Sequence, residues 1–341
     1  MIGNGFDLNL KFKTKLADVA EYYISSNNND KILKSFKFEL IKNKNKWWGD
    51  FELALGEYTE KFKNETKIDY ENQIISFKYL LIEYFEKQEL RLNYSKYEKE
   101  IPNKLFKYLS TFYEYLHDKE KDYVLKNMRI PNDISIIYNF ITFNYTNILS
   151  KLIDISKEKY KQGYKGNRPP NFKENCTHYL GEVIHIHHTL REKLILGVDN
   201  INQITNINFR DDLDFLSKIV KPLTNSALKE NNVDKAKSII NSSQIVCTFG
   251  MSLGQTDKTW WDYLTRWLIS NEKYHLVIFY YDDKVDRRFT ETILNVEKLV
   301  RDKYLNLIDP IQDTDRENIL NRIHIIVDLK DMFEMGFELE N

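Results

Sequence analysis

From Asp133 onward the chain carries six short apolar runs, "ISIIYNFITF", "VIHIH", "LILGV", "QIVCTF", "HLVIFYY" and "IHIIVD", set apart by stretches long enough to hold helices. This alternation constrains the fold most, because strands separated by helix-length crossovers pair in parallel. Runs that are apolar at nearly every position predict a sheet covered on both faces. The expected fold class is therefore α/β with a mostly parallel sheet. Residues 162–175, "QGYKGNRPPNFKEN", read as a loop joining two strands of that sheet.

The earlier part of the chain has a different texture. Between Lys11 and Met128 it is dense in Lys, Glu, Tyr and Leu and nearly free of Gly and Pro. Apolar residues recur there at helical spacing, with Ile74, Phe77, Leu81 and Tyr84 in one stripe and Leu105, Leu109, Phe112 and Leu116 in another. Pro102 separates the two stripes. The stripes predict helix-packing core, and the Lys and Glu residues a solvated face. The organisation expected is a first turn in residues 1–10, a large N-terminal helical insertion over 11–130, and an α/β nucleotide-binding domain over 131–341.

Charge and cysteine usage exclude several function classes. Fifty Lys and Arg residues balance 51 Asp and Glu, a formal net charge of −1, so no global field draws in nucleic acid or an anionic membrane. The two cysteines, Cys176 and Cys247, lack metal-type spacing and fit a reduced intracellular chain. The start "MIGNGFDLNL" has neither the basic nor the apolar region of a secretory signal, and no later stretch approaches about 18 uninterrupted apolar residues. A cytoplasmic protein without a membrane partner is expected.

Four stretches carry candidate chemistry. In "IGNGFD" a glycine pair at Gly3 and Gly5 flanks Asn4 and leads into Phe6 and Asp7, the pattern of a strand-to-helix turn whose backbone N–H groups approach a phosphate. Leu8 stands where G-x-G-x-x-G needs its third glycine, and only Met1 and Ile2 precede the turn, so the first strand is either vestigial or begins upstream of the start given. "ITFNYTN" ends an apolar strand in Thr142, Asn144, Tyr145 and Thr146, polar groups at the carboxyl edge where open α/β sheets bind ligands. Thr146 or Asn147 also suits the N-cap of the helix beginning "ILSKLIDI".

In "VIHIHHTL" an extended strand places His185 and His187 on one face and His188 on the other. A histidine neutral near pH 7 can take a proton from a hydroxyl or water. The H-x-H spacing with Asp199 is also compatible with a metal, but no third histidine accompanies it, and no metal is expected. "FGMSLG" spells G-x-S-x-G over Gly250, Ser252 and Gly254, and with Asp282 or Asp283 and His324 it offers a serine-hydrolase triad in chain order. Against that, His324 lies inside a strand, and the next helix starts only after Thr256 or Asp257, with Trp260, Leu264, Trp267 and Leu268 as its buried stripe. Ser252 then lies in a loop that contacts a ligand's ribose or phosphate.

Taken in order, "IGNGFDLNL", "NKWWGDFELALG", "TFNYTN", "IHIHH", "LILGVD" and "FGMSLGQTDKTWW" resemble the AbiH family of phage abortive-infection proteins along essentially the whole chain. That family is in turn similar to the sirtuin-like group, many of whose defence members cleave NAD. The resemblance implies a Rossmann-like, sirtuin-like fold and an antiphage effector that binds NAD as substrate and hydrolyses its nicotinamide–ribose bond. It implies that Gly3 and Gly5 form the phosphate turn, that Asn144 positions water or ribose, that His187 is the catalytic histidine, that Gly250 and Ser252 lie beneath the adenosine, and that Glu52 is the acidic residue of the tryptophan motif. Asn4, Phe6, Asp7, Thr142, Tyr145, Gly254 and Asp257 complete the expected cofactor-binding set. The partners implied are NAD or a related nucleotide, a phage-derived trigger protein and further copies of the chain. The rival classes are a serine hydrolase acting through Ser252 and a non-catalytic module that senses nucleotide or binds a partner.

Overall fold

The computed structural model describes residues 1–25, 31–43, 51–127, 135–166, 176–282, 285–286, 288–327 and 332–340. Among the described residues five strands lie in two small parallel sheets. One pairs β1 (Ser135–Thr142) with β2 (Thr177–His185), and the other has the order β3 (Ile245–Phe249), β4 (His275–Tyr280), β5 (Ile323–Val327).

The first residues of the chain join the two. Ile2 bridges Thr142 of β1 and Phe249 of β3, both in parallel. Four backbone hydrogen bonds secure this, from Ile2 N to Ile141 O (2.8 Å), Phe143 N to Ile2 O (2.9 Å), Phe249 N to Met1 O (2.9 Å) and Gly3 N to Phe249 O (2.9 Å). The strand that the sequence shows as only two residues is thus central. Because it is flanked on both sides, two residues use their donors and acceptors fully. Across the molecule the order runs β2, β1, Met1–Gly3, β3, β4, β5.

β4 and β5 are covered on both faces, whereas the first halves of β1 and β2 leave Ile137 and Tyr179 exposed. Val277, Phe279 and Ile326 share a core with Phe6, Ile101, Leu105, Leu149 and Leu152 on one side. On the other, Leu276, Ile278, Ile323 and Ile325 pack against Trp260, Trp261, Leu264, Val300 and Tyr304 of the helices Lys258–Ser270 and Thr290–Leu307. Period-2 alternation distributes the neighbouring residues of β4 between the two cores. A third core joins Val19, Phe36, Phe77 and Leu81 of the early helices to Val198, Phe209, Phe215 and Ile219. The first predicted stripe is helix-borne, with Ile74, Phe77, Leu81 and Tyr84 buried on Lys67–Leu90, but the second does not form on one helix: Ile101–Ser110, with Pro102 in its first turn, carries Leu105 and Leu109, whereas Phe112 lies in the separate turn Phe112–Tyr115 and Leu116 just beyond it.

Two further expectations are corrected. "LILGV" is not a strand: apart from a single bridge between Val198 and Val220 it runs without regular pairing, and Leu196 and Val198 are buried in the third core. A five-residue apolar run carries no period that separates a sheet strand from a segment packed on helices. The second concerns β2, which ends at His185, so His187 and His188 lie in the turn beyond it and the shared face of His185 and His187 does not form. Most of the 162–175 loop lies outside the described residues, as do Trp47, Trp48 and Asp283. No described helix is long and apolar enough to cross a membrane.

Candidate active site

The segments that follow the first strand, β1, β2 and β3 converge on one cavity of about 1070 Å³. Its wall includes Gly3, Asn4, Gly5 and Asp7 from the first turn, Asn144, Tyr145 and Thr146 from the end of β1, His187 from beyond β2, and Gly250, Ser252 and Asp257 from beyond β3. Glu52 enters from the helical part. Of the sequence-predicted set, Phe6, Thr142 and Gly254 do not line it. Phe6 is fully buried against Phe249 and Phe333, and Thr142 uses its hydroxyl to accept from the Asn144 N–H at 3.1 Å.

Close backbone approach explains the glycines. Gly5 N donates to Gly250 O at 2.9 Å. A Cβ on Gly3 falls 2.5 Å from Gly250 O, and one on Gly250 falls 2.5 Å from Phe6 N. Gly250 also has φ +68°, a left-handed conformation that costs a side chain about 1–2 kcal/mol. Gly250→Ala is therefore expected to destabilise the protein by about 2 kcal/mol or more. A chemical denaturation midpoint equal to wild type contradicts this account of the turn. The Asn4 side chain pins the turn to the next loop, donating to Thr14 O (2.7 Å) and accepting from the Thr14 hydroxyl (2.6 Å).

The polar centre of the cavity is Asp7. It is 1% exposed, accepts from Asn144 Nδ2 at 2.9 Å and from Thr146 Oγ1 at 2.5 Å, and burial pushes its carboxyl up to about 7 despite both bonds. Thr146 is thus committed to Asp7, and the helix Ile148–Lys159 starts behind Asn147 with no side-chain cap. An ionised carboxylate only accepts, so it fixes the Asn144 amide with its nitrogen inward. Asn144 Oδ1 is then left buried without a partner among the described residues, in the cavity wall. A buried acceptor of that kind costs free energy until something donates to it.

His187 stands between Phe143 and Tyr145, with ring centroids 5.7 Å from each. Burial first, then the Lys221 ammonium, lowers it to about 3, which keeps the ring neutral at physiological pH. Lys221 and Glu52 form a buried ion pair at 2.8 Å, and Tyr145 OH donates to the other Glu52 oxygen at 2.6 Å. Burial alone pushes the Lys221 ammonium down, but Glu52 and Asp257 more than offset it and hold it above its ordinary range. Asp199 accepts from the Thr259 hydroxyl at 2.7 Å.

His185, His188 and His324 do not line the cavity. His185 lies between Ser150 Oγ (2.8 Å) and Asn144 O (3.3 Å). His188 has φ +57°, a conformation glycine adopts freely. His324 is 1% exposed in β5, with its Nε2 3.0 Å from His275 Nδ1, so it is not brought to Ser252, which lies exposed in the loop before the helix Lys258–Ser270. Among the described residues no group of three His, Cys, Asp or Glu side chains is placed to hold a metal.

Sequence reasoning did not find Lys221 or the Asp7–Asn144–Thr146 triangle. Lys221 carries no local signal, because its partner Glu52 is 169 residues away. For the triangle, the signal was an aspartate two residues after the glycine pair together with the polar end of β1.

The family model described as "Bacteriophage abortive infection AbiH" matches residues 1–280. The chain belongs to the AbiH family. The stretch of this AbiH member that matches contains Asp7, Glu52, Asn144, Thr146, His187, Lys221, Gly250 and Ser252, so the site is built within it. Comparison with curated proteins and with solved structures found no match.

Proposed function

We propose that this AbiH protein is an abortive-infection effector that binds NAD in the cavity and hydrolyses the nicotinamide–ribose bond. The observation that carries the reading is Asn144 Oδ1, a buried acceptor in the cavity wall without a partner among the described residues. The strand order supports it: chain progression reverses at Met1–Gly3, as in a Rossmann-like doubly wound sheet, and such sheets bind nucleotides at that reversal. The cavity volume suits a dinucleotide. In this reading the pyrophosphate lies over Gly3–Gly5 and Gly250, the adenosine lies toward Ser252, and the nicotinamide ribose meets Asn144.

Asn144 Oδ1 accepts from the attacking water or a ribose hydroxyl and stabilises the positive charge that develops at the anomeric carbon. The neutral His187 ring in the cavity wall has one donor and one acceptor nitrogen to offer a ribose hydroxyl. With its ring held near 3 it orients the ligand better than it carries a proton away. Loss of NAD in an infected cell, released by a phage-derived trigger, is the link to abortive infection. Calorimetric titration tests the binding half: NAD and ADP-ribose are each expected to saturate one site per chain, and an absence of heat with both overturns the reading.

A further inference from the structure

Asp7 has no assigned chemistry beyond lining the ligand site, yet its setting is that of a working group. It is fully buried, it faces the cavity, and its two oxygens hold Asn144 Nδ2 and Thr146 Oγ1. A carboxylate oxygen has lone pairs for more than one donor, so both can accept again. The neighbouring Asn144 Oδ1 waits in the same wall without a partner among the described residues. A hydroxyl donating to that oxygen lies beside a carboxylate.

We propose that Asp7 is the proton acceptor of the site, taking a proton from the water or hydroxyl that Asn144 Oδ1 holds. The inference rests on the NAD reading above. Water oxygen bonds to the anomeric carbon of the ribose, the bond to the pyridinium nitrogen breaks, and its electron pair leaves with neutral nicotinamide. One water proton passes to the Asp7 carboxylate and later to solvent, and the other stays on the new hydroxyl.

Several groups set the charge around Asp7. Glu89, 3% exposed and paired with Lys151 at 3.2 Å, opposes its ionisation, and the Tyr94 phenol lies close enough to feel its charge. Burial dominates, and it places the group where a base works best near neutral pH. His187, held near 3, is fully unprotonated throughout that range and supplies no pH dependence there.

The test is the pH profile of nicotinamide release from NAD by wild type and by Asp7→Asn. The wild-type rate is expected to rise about tenfold per pH unit below neutrality and to level off above about 7, as Asp7 loses its proton. Asp7→Asn is expected to lose at least about a hundredfold and the pH dependence with it. A wild-type profile flat from pH 5 to 8 overturns the proposal, and this measurement stands even where the variant fails to fold. A folded Asp7→Asn within about threefold of wild type overturns it as well. Wild type silent toward NAD at every pH overturns the proposal together with the substrate reading, and is told apart from failure of Asp7 alone by which protein is silent.

Discussion

Asn144→Ala is expected to lower nicotinamide release by roughly 10²–10³-fold, the usual effect of removing one positioned polar group from a developing charge. The variant should remain folded. It removes one of the two donors to Asp7, which leaves a buried oxygen unpaired at about 1–3 kcal/mol, and Thr146 Oγ1 still holds the other. Protonation of the carboxyl relieves part of that cost. The check is a turnover assay beside a denaturation curve on the same preparation. Turnover equal to wild type in a folded variant removes Asn144 from the mechanism.

The second large effect is on stability. Lys221→Met is expected to destabilise by about 3–5 kcal/mol, because it strands the Glu52 carboxylate in the interior with only the Tyr145 hydroxyl on it. The double variant Lys221→Met with Glu52→Leu should recover most of that loss, since an apolar pair of similar volume replaces a buried ion pair at little net cost. Glu52 sits on the helix Phe51–Tyr58 and Lys221 opens the helix Lys221–Ala227, so the pair ties the early helices to the cavity wall. Urea denaturation of the single and double variants measures the coupling. A single variant as stable as wild type contradicts it.

Much of the architecture was legible because it depends on local pattern. Four of the five described strands follow from near-continuous apolar runs, whereas β2 starts at Thr177 in the mixed stretch "THYLGE" and shares only its last three residues with "VIHIH"; the helix Lys258–Ser270 follows from the spacing of Trp260, Leu264, Trp267 and Leu268. The G-x-G and G-x-S turns were legible as motifs, but not as two halves of one contact between Gly5 and Gly250. That contact depends on Met1–Gly3 lying between β1 and β3, which no local pattern in two residues can show. "LILGV" misled because burial against helices and burial in a sheet demand the same residues. The histidine run has the alternation of a strand throughout, whereas β2 stops at His185 and the turn beyond it sends His187 into the cavity wall. The motif around the glycine pair points to Asp7 as a ligand-site residue, but its elevated carboxyl follows from burial that only the folded chain creates.

The most direct test of the account is whether purified wild-type protein, incubated with NAD with and without phage lysate, releases nicotinamide and ADP-ribose in equal amounts. The account predicts equimolar release that continues beyond one turnover per chain. Intact NAD under both conditions contradicts it.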